Sequence, residues 1–357
     1  MPRLFTTGGM IIDNVVSADG AVQRQTLGGN GVYSAAGARL WVDQVGMVAM
    51  IPRNYPAHWL DTLRDAGIDT AGIATREDTV SCSEWFFYRQ DGSRVDGLHA
   101  EQGLFEACGH TGAWLSPEQA ATFESLLQSR KPPGLDFAGF RRRHPVRATD
   151  VPAAYRGARG VHLAPGLADA QHALLLELRR PGRTITLDPG SHAADTSAGP
   201  WSAMLPLLDA ILPSERELRA MAPGRSHADG LALLRSMGVP IAAVKLAAAG
   251  ALVDDGSRTG AAAVPILPVV AVDPTGAGDA FCGGFLAGLV GTGDALCAAV
   301  CGTVSASFAV ESFGPFGLLS ASRSAVIHRW RTLAHACALP HAESLLSELA
   351  AMRPLDR

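Results

Sequence analysis

The sequence predicts an α/β fold: a doubly wound, mostly parallel sheet with helices on both faces and a small β subdomain. Three observations carry this. Short apolar runs bounded by turn residues alternate with helical stretches along most of the 357 residues. Two glycine-rich turns, Gly28-Gly29-Asn30-Gly31 and Gly276-Ala277-Gly278-Asp279, each join a strand to a helix. Polar, alternating pieces lie before residue 28 and around residues 80–97, where they read as hairpins.

The elements follow in order. Leu4 to Val16 reads as a buried strand interrupted by Gly8-Gly9, with Asp13 near its end, and Asp19-Gly20 marks a hairpin. The first glycine turn opens a small-residue helix through Leu40; a strand spans Val45 to Ile51, and a helix spans Pro56 to Ala66, where Gly67 stops it. Ser81 to Tyr88 is rich in β-formers. Residues 103–150 interrupt the rhythm and look like an insertion. They hold one helix, Pro117 to Ser129, with Ser116 as N-cap, Gln119 completing a capping box, and Pro132-Pro133-Gly134 ending it. Arg141-Arg142-Arg143-His144 reads as a solvated basic loop, the alternative being contact with a phosphate.

Alternation then resumes. Strands are expected at Gly160 to Ala164, Thr184 to Asp188, Ala210 to Leu212, Pro240 to Leu246, Ala251 to Asp254 and Ala262 to Val270, the apolar stretch running on to Val272. Helices are expected at Asp169 to Arg180, Ser214 to Met221, Asp229 to Met237, Phe281 to Val290, Asp294 to Val310, Arg323 to Cys337 and His341 to Met352.

Composition narrows the function. At 47% hydrophobic and 18% charged, the chain can bury a large core. A net charge of −4 offers no general attraction to nucleic acid or membrane. The six cysteines form no CxxC pair, so they read as small core residues, and the N-terminus runs directly into a strand pattern. A cytoplasmic location is the expectation. No GxxxxGK[ST] loop, HExxH or GxSxG pattern occurs, and no GxGxxG follows the first strand.

The second glycine turn carries the chemistry. Glycines let successive backbone N–H groups converge, and a helix starting there adds its N-terminal partial positive charge. That makes an anion-binding cup with one carboxylate, Asp279, inside it. A carboxylate is badly placed to hold phosphate but well placed to take a proton from a hydroxyl that attacks one. Gly-Ala-Gly-Asp alone is also an ordinary strand–turn–helix junction. The longer run Asp273-Pro274-Thr275-Gly276-Ala277-Gly278-Asp279-Ala280-Phe281-Cys282-Gly283-Gly284 is more specific.

That run resembles the second signature of the ribokinase-like (phosphofructokinase B-type) sugar and nucleoside kinases, and the context of Gly28-Gly29 resembles the first. The resemblance implies a ribokinase-like three-layer sandwich, one domain over residues 1–357, with β lid segments near 14–27 and 80–97. It implies ATP and Mg2+ as cofactors, with Asp279 as base and the amides of Gly276, Ala277 and Gly278 as anion hole. Asp13, Gly28, Gly29 and Tyr33 would meet the substrate, Tyr33 standing where the family often has Asn and offering a hydrogen bond or a stacking ring. Ser214, Lys245, Ala247 and Gly250 would lie on the nucleotide side. Glu217 would order magnesium through water. Asp273 would orient the turn or, as in some relatives, help hold a monovalent cation such as K+.

Each assignment has a plainer counterpart in the residues themselves. Gly28-Gly29 also suits a hairpin end, Asp13 a local turn, Ser214 and Glu217 a capping box, and Lys245 a strand-end lysine in solvent. Ser214 and Ala247 depart from the family's usual Asn and Gly. The expected activity is phosphorylation of a hydroxyl on a sugar or sugar-like molecule. The alternatives are a nucleoside kinase of the same fold, or a non-catalytic nucleotide- or sugar-binding regulator. Family members often dimerise through the lid, which makes a homodimer a further expectation.

Overall fold

The computed structural model describes residues 2–89, 94–98, 114–129, 135–190 and 199–353. Thirteen strands are formed among them. β1 (Leu4–Thr7), β2 (Ile11–Val16), β3 (Val22–Gly28), β4 (Val45–Pro52), β5 (Ile68–Arg76), β6 (Ser83–Tyr88) and β7 (Arg94–Leu98) come first. β8 (Gly160–Leu163), β9 (Thr184–Leu187), β10 (Ala210–Ile211), β11 (Ile241–Lys245), β12 (Ala251–Asp254) and β13 (Ala262–Val264) follow.

The main sheet has the order β13-β12-β11-β10-β9-β8-β1-β4-β5. Its pairs are parallel from β11 to β5, and β12 and β13 are antiparallel. All the parallel strands therefore point their carboxyl ends to one edge, where ligands of open α/β sheets bind. One face packs on helices 30–39, 277–292, 295–309 and 323–336, the other on helices 168–178, 215–221 and 227–236. These two faces make the three layers. No helix of the described residues is long and apolar enough to cross a membrane.

The predicted first strand is two. Gly8-Gly9 separates β1, central in the main sheet, from β2, which belongs to a second sheet of order β3-β2-β6-β7. β2 pairs with β3 antiparallel and with β6 parallel, Asp13 lying opposite Glu84. On β6 the side chains alternate. Phe86 and Tyr88 join the main core, whereas Trp85 and Phe87 face the helix Pro117–Ser129. That helix seals the outer face with fully buried Phe123, edge-on to Trp85 at 5.1 Å, and Arg89 holds Glu124 at 3.0 Å. Its capping box forms as expected: Ser116 N–H donates to Gln119 at 2.9 Å and Gln119 N–H to Ser116 at 3.3 Å. The expected stop at Pro132-Pro133 lies outside the described residues.

Three local expectations are corrected. The strand predicted over 262–270 ends at Val264, because Pro265 and Pro268 deny ladder donors, and Ile266, Val270 and Val272 stand exposed. β5 is an edge strand absent from the sequence reading, its pattern blurred by Gly72 and half-exposed polar residues. The expected loop around Arg141 is the helix Phe137–Arg143, capped by Asp136 accepting from Gly139 N–H at 2.6 Å and anchored by buried Phe137 and Phe140.

The helix Ala277–Thr292 is the central packing element. Left-handed glycines bound it, Gly276 at φ 75° and Gly293 at φ 70°. Its own glycines admit neighbouring backbones: a Cβ on Gly283 would meet the Ser34 carbonyl at 1.8 Å. Gly283→Ala should therefore lower the urea midpoint, at a cost of about 1–3 kcal/mol from overpacking. An unchanged midpoint would contradict this helix contact.

Candidate active site

The Gly276–Asp279 turn sits at the carboxyl edge of the main sheet. Gly276 takes its left-handed conformation because Tyr33 leaves no room, a Cβ there meeting the Tyr33 ring at 2.2 Å. Asp273 shapes the approach: its Oδ1 accepts from Thr275 N–H at 2.9 Å, while its own N–H donates to Val310 at 3.1 Å. Within the turn, Ala277 N–H is directed to the Pro274 carbonyl at 3.2 Å. Among the described residues, the N–H groups of Gly276, Gly278 and Asp279 donate to no protein acceptor. These three orphan donors lie together at a helix N-terminus, a setting that favours an anion.

Asp279 is half-buried in the first turn of that helix. Burial pushes its carboxyl up to about 7; the Asp188 charge adds to this, and Lys245 and Arg94 pull against it. A carboxylate poised near neutrality fits proton abstraction.

Asp188, just beyond the carboxyl end of β9, is the residue that sequence reasoning missed. Its carboxylate pairs with Lys245 Nζ, and Cys282 Sγ lies 3.4 Å from the same Nζ. Burial opposes the ammonium charge, but Asp188, Cys282 and Glu217 hold the Lys245 pKa well above its usual value. Lys245 is thus not a solvent lysine. Its side chain runs beside Gly278, where a Cβ would come 3.7 Å from Lys245 Cδ. The signal for Asp188 was available, since Asp13 was chosen for standing near a strand's carboxyl end.

Ser214 and Glu217 form the capping box of helix 215–221: Ser214 N–H donates to Glu217 Oε2 at 2.7 Å. Ser214 also bridges Lys245 across the ends of β10 and β11. Both readings of this pair hold together. The cap fixes the Glu217 carboxylate at the sheet edge, where burial and then Asp188 raise its pKa.

On the other side of the turn lies fully buried Asp13. Burial first, then the charges of Asp273 and Glu84, raise its pKa well above the carboxylate range. Gly28 has no room for a side chain, since a Cβ would fall 2.0 Å from the Asp13 carboxyl. Tyr33 reaches Asp13 through a long hydrogen bond of 3.5 Å. Its ring is 1% exposed beneath Gly276, so the stacking surface expected there is already used by the protein. Tyr88, a further residue that the sequence did not single out, ties β6 to the turn through Thr275 Oγ1 at 2.8 Å.

Ala247 begins a tight turn with φ +48°, and Gly250 closes it with φ +88°. Leu246 N–H donates to Gly250 at 2.8 Å. Alanine occupies a left-handed position that glycine adopts without strain.

Among the described residues, no group of three or more His, Cys, Asp or Glu side chains is arranged to hold a metal ion. That donor set does not fit an all-protein cage. Glu217, held at the sheet edge by the Ser214 amide, supplies one carboxylate, the kind of donor that meets a hydrated magnesium ion through water.

The chain is similar in sequence and in fold to known kinases. The pfkB family carbohydrate kinase description matches residues 163–320. A cytidine kinase of Thermococcus kodakarensis is 26% identical over 292 residues, spanning 81% of this chain and 88% of that protein. An ATP-dependent ribose-1-phosphate kinase of Halopiger xanaduensis is 32% identical over 290 residues, spanning 79% and 81%. A putative ribokinase II from E. coli, solved with ATP and Mg2+, superposes with TM-score 0.67 at 18% identity, covering 93% of this chain and all of that one, a likeness of fold. The chain belongs to the pfkB family of carbohydrate kinases and is a phosphotransferase of the sugar and nucleoside kinase class.

The strained position makes a stability prediction. Ala247→Gly should raise the unfolding free energy by about 1 kcal/mol, from relief of a left-handed alanine. A lower thermal midpoint in that variant would contradict the assigned conformation.

Proposed function

We propose that this pfkB-family kinase transfers the γ-phosphoryl group of ATP to a hydroxyl of a sugar or sugar-like small molecule. Asp279 removes the hydroxyl proton, the alcohol oxygen attacks the γ-phosphorus, and ADP leaves. One observation carries the reading: a carboxyl raised to about 7 stands in a turn whose Gly276, Gly278 and Asp279 amides have no acceptor among the described residues. Those amides hold charge on the transferring group, and by analogy with oxyanion holes each donor is worth about 2.7–4 kcal/mol. The Ala277 amide, directed to Pro274, contributes less.

The remaining residues follow from their positions. Asp13 accepts from acceptor hydroxyls through its buried, unpaired Oδ1, with Gly28 and Gly29 giving the acceptor close access and Tyr33 positioning Asp13. Lys245, fixed by Asp188, neutralises nucleotide phosphate; Ser214, Ala247 and Gly250 line the nucleotide side. Magnesium, when bound, neutralises charge across the phosphates. Glu217, fixed by the Ser214 amide, suits holding it through water, and the carboxylates of Asp188, Glu217 and Asp279 outnumber Lys245. The second sheet, tied to the turn by Tyr88, acts as a lid that excludes water as a competing acceptor. Because helix 117–129 of the same chain covers its outer apolar face, the lid needs no second copy for burial. The likeness to a cytidine kinase favours a nucleoside acceptor as the second reading.

Among the described residues Asp273 Oδ2 is buried with no hydrogen-bond partner, a fit for a monovalent cation. Turnover should rise when K+ replaces tetramethylammonium, and Asp273→Asn should abolish that dependence. Equal rates in both salts would remove the cation from the account.

A screen of sugars and nucleosides scored for acceptor-dependent ADP release tests the reading as a whole. With the best acceptor, kcat/KM should fall as pH drops below about 7, where Asp279 is protonated, by about tenfold per unit for one essential base. A profile flat from pH 8 to 5 would contradict the role of Asp279.

A further inference from the structure

The basic run at residues 141–144 separates into distinct roles. Arg142 is exposed to solvent. Arg143 pairs with Asp78 Oδ1 at 2.5 Å, and His144 Nε2 meets the other oxygen of Asp78 at 2.5 Å. Only Arg141 turns inward. Its helix is fixed by Phe137, whose ring lies against Gly9, where a Cβ would sit 3.5 Å from Cε1. The guanidinium is thereby brought to a cleft at the carboxyl ends of β1 and β8, lined by Gly8, Gly9, Arg141, Gly166 and Gln171.

This cleft adjoins the first glycine turn, where the proposed acceptor contacts Gly28 and Gly29 lie. Arg141 Nη2 donates to the Pro165 carbonyl at 2.5 Å. Asn30 of the first glycine turn donates to the same carbonyl at 3.0 Å and accepts from Gly9 N–H at 2.7 Å. Glu84, the strand partner of Asp13, lies within electrostatic range of Arg141. One carbonyl uses a small part of a guanidinium's five-donor fork. A planar or tetrahedral anion suits the rest, because two parallel N–H groups match carboxylate and phosphate oxygens.

Resting on the kinase reading above, we propose that Arg141 binds an anionic substituent of the acceptor, a phosphate or a carboxylate, at the end remote from the hydroxyl that is phosphorylated. The acceptor is then a sugar phosphate or a sugar acid. Arg141 is a specificity residue, supplied by a helix outside the two glycine signatures.

Matched pairs test this: ribose against ribose 1-phosphate and ribose 5-phosphate, and glucose against gluconate, each with ATP and scored for ADP release. The anionic member of at least one pair should have a KM lower by about 10- to 100-fold, the worth of a charge-assisted hydrogen-bond pair. Arg141→Gln should erase that advantage while kcat holds, Arg141→Lys should keep part of it, and Arg142→Gln should change nothing. Neutral acceptors used as well as anionic ones would overturn the proposal, as would an Arg141→Gln variant that raises KM for both alike. Calorimetry with a non-hydrolysable ATP analogue separates the two layers. An anion that binds wild type, fails to bind Arg141→Gln and is never phosphorylated supports the anion site and contradicts the kinase reading. Turnover confined to neutral acceptors does the reverse.

Discussion

Everything at the carboxyl edge of the main sheet depends on how negative charge is held there. Asp188, Glu217 and Asp279 converge from one strand end and two helix N-termini, and one ammonium group, Lys245, stands among them. Such a cluster is unfavourable in a low-dielectric setting unless each charge is paired. Lys245 and Asp188 pair directly, and the Ser214 amide takes one oxygen of Glu217. Among the described residues Asp279 has no charged partner in contact, and burial, then the Asp188 charge, pushes its carboxyl up to about 7. Three carboxylates around one ammonium leave a surplus of negative charge that a cation would offset. Removing either member of a buried pair such as Asp188–Lys245 typically costs about 3–5 kcal/mol, so the fold itself depends on this pair.

Space is the second constraint. Gly28 must be glycine because Asp13 occupies the position of its Cβ, and Gly276 because Tyr33 does. The two glycine turns, some 250 residues apart, thus meet through one tyrosine, which touches Gly276 with its ring and Asp13 with its hydroxyl. The two turns are therefore mechanically linked. Tyr88 adds a third connection, from the smaller sheet to Thr275 beside the turn.

Most of this was legible in the chain because the informative residues are local. The helix at 117–129 was read from Ser116, Pro117 and Gln119, and its capping box forms. The anion cup was read from three glycine-turn positions and one carboxylate, all contiguous. What escaped depends on contacts distant in sequence. Asp188 gains its meaning only when β9 and β11 bring it to Lys245, 57 residues away. The helix 137–143 has one cap and two phenylalanines, too little pattern over seven residues to stand out from its arginines. Residues 265–272 misled in the opposite way: their apolarity suggests a strand, but two prolines keep them out of the sheet. Tyr33 was readable as a substrate contact and not as the support beneath Gly276, since nothing in the sequence joins those positions.

The proposed chemistry rests on a single carboxylate, Asp279, acting as a base beside backbone amides that have no acceptor among the described residues. The most direct measurement is single-turnover phosphorylation of the best acceptor by Asp279→Asn, with acceptor and ATP binding followed in parallel by calorimetry. The account predicts binding within the wild-type range and a chemical step slower by at least about a hundredfold, the lower bound for loss of a positioned base. Near wild-type chemistry in that variant would contradict it.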